Sequence, residues 1–168
     1  MRAVDAGLLA VAVNRWAPEH SRAARLIEDL INGDAPWALP WSECHEFLRR
    51  VAHPHTVARP LGADDAAGVL ELLLASPSVH PLSPTRRHAA VIREVLALTP
   101  IGRGLPPGLE TAALLREHGV RELWSLEPGM KRYRFLTVEN PLRPAPAGRY
   151  NAGRRRYRVL APGPTSAG

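Results

Sequence analysis

The stretch Arg2-Ala3-Val4-Asp5-Ala6-Gly7-Leu8-Leu9-Ala10-Val11-Ala12-Val13 decides the fold. Arg2 to Asp5 is short, apolar and β-compatible, so it predicts a first strand that ends in a carboxylate. Gly7 to Val13 is apolar throughout and predicts a short helix directly behind that strand. Working outward, Pro18 to Asn32 sets Ala23, Leu26, Ile27, Leu30 and Ile31 at i, i+3, i+4, i+7 and i+8, one face of a helix. Gly33 supplies the stop. Trp37-Ala38-Leu39, between Pro36 and Pro40, reads as a second strand. Ser42 is placed to cap the next helix, where Cys44, Phe47, Leu48 and Val51 form the apolar stripe. Glu43 and Glu46 share a different face.

The alternation continues. Asp64-Asp65 opens a helix through Ala75, with acids favourable at its N-terminus. Val79 to Leu82 is a third strand, and Thr85 to Leu98 a helix anchored by Val91, Val95 and Leu98. Pro107 opens the last long helix, which Gly119 ends after His118. Val120 to Ser125 and Phe135 to Val138 complete the strands. Short strands alternating with helices predict an α/β fold with a parallel sheet covered on both faces. Chemistry in such sheets gathers at the carboxyl ends of the strands.

A chain of 168 residues suits one domain, and 45% hydrophobic residues can supply its core. The single cysteine, Cys44, excludes an internal disulfide. Asp5 interrupts the apolar stretch a signal peptide needs, and no run approaches the ~18 apolar residues of a membrane span. A soluble, cytoplasmic protein with no membrane partner is expected. The net charge of +6 is unevenly placed. Arg143, Arg149, Arg154, Arg155, Arg156 and Arg158 fall after Asn140, where there is no acid, and these six arginines account for the whole excess of 22 basic over 16 acidic residues. Residues 1–142 therefore read as a neutral domain and 143–168 as a basic Pro/Gly/Arg-rich tail, expected to be disordered. Arg154, Arg155, Arg156 and Arg158, with Tyr150 and Tyr157 interleaved, suit contact with RNA phosphates or a solvated extension.

Three acids are expected at one end of the sheet: Asp5 after the first strand, Glu46 on the third helix and Glu127 after Leu123-Trp124-Ser125. Grouped carboxylates suit Mg²⁺ or Mn²⁺, and a two-metal site would serve phosphodiester hydrolysis. Each acid also has a plain reading: Asp5 as a cap, Glu46 as an i,i+4 partner of Arg50, Glu127 as a turn residue. The seven histidines show no paired zinc-ligand spacing, and Cys44 on its apolar stripe reads as core.

Val4-Asp5-Ala6-Gly7-Leu8-Leu9, Trp37-Ala38-Leu39-Pro40-Trp41 with His45-Glu46-Phe47-Leu48-Arg49, Glu117-His118-Gly119-Val120 and Glu122-Leu123-Trp124-Ser125 with Asn140-Pro141-Leu142 together resemble the VapC-type toxin ribonucleases of the PIN family. The resemblance runs from Arg2 to Leu142. It implies a PIN-like three-layer α/β/α sandwich with a central, mostly parallel sheet of about five short strands. It further implies a toxin of a toxin–antitoxin pair, a Mg²⁺- or Mn²⁺-dependent endoribonuclease with Asp5, Glu46 and Glu127 as catalytic and metal-binding acids. A small antitoxin covering the acid cleft and a homodimer are implied as partners. The third family acid, an aspartate, falls on Gly108; the usual Asp-x-Asp is Glu127-Pro128-Gly129; and no aspartate follows Asp65. Two readings stay open: an impaired nuclease, or a catalytically inactive PIN domain that binds antitoxin or RNA.

Overall fold

The computed structural model describes residues 1–54, 57, 59–100 and 104–143. Of the basic tail expected over 143–168, Arg143 is described, its N–H donating to Asn140, and 144–168 lie outside the described residues.

Among the described residues, five strands and six helices follow in the order β1 Arg2–Val4, α1 Ala6–Val13, α2 His20–Asn32, β2 Trp37–Pro40, α3 Trp41–Ala52, α4 Ala63–Leu74, β3 Val79–Leu82, α5 His88–Leu98, α6 Leu109–Glu117, β4 Glu122–Trp124 and β5 Thr137–Glu139, with a 3₁₀ turn at Pro128–Arg132. The sheet order is β3-β2-β1-β4-β5, and every pairing is parallel. β1 is central: the chain winds outward through β2 and β3, then crosses back to build β4 and β5 on the other side. The strand order reverses between β1 and β4, which opens a crevice at their carboxyl ends.

The period of two sorts the strand residues between two cores. Val4, Trp37 and Leu39 pack with Leu8, Leu9, Ala23, Ile27, Phe47, Val51, Leu70 and Leu73, so α1 to α4 cover one face. Ala3, Ala38 and Leu123 pack with Val91, Val95, Ala112, Leu115 and Tyr133, so α5 and α6 cover the other. This is the expected three-layer α/β/α sandwich.

Two helix starts differ from expectation. Helix α3 begins at Trp41 with Pro40 as its N-cap, and Ser42 already lies inside it. The Ser42 hydroxyl hydrogen-bonds Thr111 Oγ1 on α6 at 2.7 Å instead of capping its own helix. Helix α6 begins at Leu109 and not at Pro107, because Gly108 takes a left-handed φ of 74° as its N-cap. The apolar run 6–13 is helical because the Asp5 carboxylate accepts from the Leu8 N–H at 2.7 Å, capping α1 at the end of β1.

Candidate active site

Asp5 is the first residue beyond β1 and only 4% exposed. Both of its oxygens are held. Oδ1 accepts from Leu8 N, while Oδ2 accepts from Ser125 Oγ at 2.5 Å and Leu126 N at 2.9 Å. Ser125 is the residue that follows β4, so this bond ties the end of β1 to the end of β4 at the floor of the crevice. Its hydroxyl also accepts from Glu127 N at 3.0 Å.

Glu43, in the first turn of α3, is the second acid of the crevice. Oε2 accepts from Ala6 N at 2.7 Å, next door to Asp5, and Oε1 accepts from Thr111 Oγ1 at 2.5 Å. Desolvation by burial pushes both carboxyls above their ordinary pKa; hydrogen bonds oppose the shift, and the charge of Asp5 adds to it at Glu43. Two acids are therefore held close together in a poorly solvated place.

Glu46 and Glu127 line the same cleft, together with Asp5, Glu43 and Gly108. Their near partner is Arg50. Its Nε donates to Glu46 Oε1 at 2.8 Å and its Nη2 to Glu127 Oε1 at 2.8 Å. Burial disfavours the charged guanidinium, but these hydrogen bonds outweigh it and raise the Arg50 pKa further. Arg49 pairs with Glu46 from the solvent side at 3.2 Å, being 72% exposed. Thus the structure brings Asp5, Glu46 and Glu127 to one end of the sheet. It sets Asp5 against Glu43, and joins Glu46 to Glu127 through a cation of the chain's own.

Sequence reasoning did not select Glu43, Thr111 or Ser125. The signal for Glu43 was available: it shares a helix face with Glu46 but lies nearly one turn closer to the end of β2, and one turn is about 5.4 Å. The i,i+4 pairing of Glu46 with Arg50 is present as read. Gly108 lies at the cleft wall, where it offers no ligand.

An all-oxygen Asp/Glu donor set matches Mg²⁺ or Mn²⁺ in chemistry, and two desolvated acids match a divalent ion in charge. Among the described residues, no group of three or more His, Cys, Asp or Glu side chains converges to hold a metal ion. Two carboxylates are nonetheless a workable set for Mg²⁺, which keeps several waters and takes one or two carboxylates plus substrate phosphates.

No family model matches the chain. Among curated proteins, Ribonuclease VapC43 of Mycobacterium tuberculosis (strain ATCC 25618 / H37Rv) is 30% identical over 142 residues, 84% of this chain and 96% of the relative. Ribonuclease VapC48 of the same strain is 26% identical over 137 residues, 82% and 94% of the two chains. Among solved structures, VapBC2 from Rickettsia felis, bound to a DNA fragment from their promoter, superposes with a TM-score of 0.57 at 13% identity, covering 82% of this chain and 96% of that one. The likeness to VapC43 spans nearly the whole relative and most of this chain: the chain belongs to the VapC ribonuclease family of PIN-domain proteins.

Proposed function

We propose that the chain is the toxin of a toxin–antitoxin pair and an endoribonuclease whose reaction centre is the Asp5–Glu43 crevice. The observation that carries this reading is the desolvated acid pair at the β1–β4 switch point, in a chain belonging to the VapC ribonucleases. Asp5 and Glu43 would hold a divalent cation, Mg²⁺ or Mn²⁺, with Glu46 and Glu127 in the same cleft. When bound, such an ion neutralises phosphate charge and favours deprotonation of water. The chain's own residues do the orienting. Leu8 N, Ser125 Oγ and Leu126 N fix the Asp5 carboxylate; Ala6 N and Thr111 Oγ1 fix Glu43. Partners of this kind set the rotamer and basicity of metal-facing ligands.

The expected protein partner is a small antitoxin whose C-terminal segment covers the cleft, with a homodimer as the assembled form. A second reading, an inactive domain that binds antitoxin or RNA, draws on Arg50 bridging two of the acids and on Gly108. One assay separates the two: purified protein with single-stranded RNA in Mg²⁺, in Mn²⁺ and in EDTA, beside Asp5→Asn. Metal-dependent cleavage lost in Asp5→Asn supports the ribonuclease. RNA or antitoxin binding without cleavage in any metal supports the inactive domain.

A further inference from the structure

We propose that Arg50 is itself a catalytic residue, donating from Nη1 to a non-bridging oxygen of the scissile phosphate; this deepens the ribonuclease reading and rests on it. A phosphodiester entering a cleft lined by Asp5, Glu43, Glu46 and Glu127 meets these acids, with Arg49 and Arg50 the basic residues in the same lining. Arg50 is the cation placed among those acids, while Arg49 reaches Glu46 from solvent.

Its attachment leaves one arm of the guanidinium for a ligand. Nε is taken by Glu46 and Nη2 by Glu127, whereas Nη1 makes no hydrogen bond among the described residues. Nη1 lies on the Gly7 side of the cleft, where Asp5 also stands. A Cβ placed on Gly7 would lie 3.6 Å from Arg50 Nη1, 3.4 Å from Asp5 Oδ1 and 3.6 Å from Asp5 Oδ2. The guanidinium arm and the Asp5 carboxylate therefore border one gap, and the missing side chain of Gly7 keeps it open.

The braced arrangement needs arginine. A planar fork can hold two carboxylates with two nitrogens and present the third to a phosphate oxygen. Lysine is one flexible point charge and cannot do all three. In the hydrolysis, water oxygen bonds to phosphorus as the P–O bond to the leaving oxygen breaks; the leaving oxygen takes the electron pair and, overall, the proton that water gives up, while Arg50 keeps its own protons throughout. Its contribution is charge stabilisation on the non-bridging oxygens as the transition state forms.

The test compares wild type, Arg50→Lys and Arg50→Gln on a short single-stranded RNA. Binding is followed by fluorescence anisotropy across a salt series in EDTA, and cleavage in Mg²⁺, with melting temperatures alongside. Arg50→Gln should melt close to wild type, flatten the log–log salt slope by about 0.7, the value for one lost phosphate contact on a single strand, and lose about 10²-fold in kcat. Arg50→Lys should regain the slope and little of the rate. Wild-type slope and kcat in Arg50→Gln would overturn the proposal and leave Arg50 a counter-ion of Glu46 and Glu127. Should Arg50→Gln fail to fold, Arg50→Lys decides: a rate equal to wild type overturns the proposal, and lost rate with unchanged binding supports it. A wild type that neither binds nor cleaves RNA overturns the ribonuclease reading and the proposal with it.

Discussion

Gly108 stands at φ 74° at the head of α6, and a Cβ there would run into the Met130 side chain. The position on which the resemblance sets the third family acid has, here, a backbone conformation that favours glycine. Simple restoration should fail. Gly108→Asp is expected to destabilise the fold by about 1–3 kcal/mol, the cost of a non-glycine residue in the left-handed region, and to leave cleavage no higher than wild type. Urea unfolding reads the first part; a variant as stable as wild type and more active would contradict it. Asp5 shows the opposite economy. One carboxylate caps α1, ties β1 to the residue after β4, and borders the gap faced by Arg50.

At the scale of elements, α3 connects core and site. Phe47 is fully buried in the core between the sheet and α1 to α4, while Glu43, four residues earlier, points its carboxylate to Ala6 N and Thr111. Phe47→Ala should cost about 3–5 kcal/mol and loosen the acid pair with it, so denaturant midpoint and cleavage should fall together. A midpoint shift of less than about 1 kcal/mol would show that α3 is not anchored as described. The helices were legible where their burial follows a single period: Ala23 and Ile27 on α2, Val91 and Val95 on α5. The helix starts were less so. Ser42 has cap chemistry, yet its hydroxyl is used across the cleft by Thr111, and Pro107 precedes a glycine whose backbone turns the chain before α6 begins. The partner of Asp5 could not be chosen from periodicity, because Glu43 and Glu46 lie on the same helix face. Distance from the strand end separates them, Glu43 lying nearly one turn closer to the end of β2. Resemblance located the cleft, and tertiary contact sets Glu43 beside Asp5.

For the whole molecule, the sheet's reversal between β1 and β4 concentrates acids in a cleft, while the chain carries +6 overall with its excess beyond Asn140. Arg22 donates to the Leu142 and Arg143 carbonyl oxygens, and Leu142 is buried in the core, so the body needs the chain through Arg143. Deleting 144–168 should leave the melting temperature within a few degrees of wild type. It should also reduce RNA affinity and flatten its salt dependence, by about 0.7 in slope for each phosphate contact removed. Unfolding on truncation would assign the tail a structural part. The claim that joins these scales is that the switch point makes Asp5 and Glu43, and not Asp5 and Glu46, the acid pair of the reaction. Cleavage of one single-stranded RNA in Mg²⁺ by Glu43→Gln and by Glu46→Gln, both checked for folding, tests it most directly. Glu43→Gln should lose about 10²-fold or more in kcat, the scale for a directly acting polar group, with Glu46→Gln within about tenfold of wild type, or about 1.4 kcal/mol. A Glu46→Gln enzyme that is dead beside an active Glu43→Gln enzyme would contradict it.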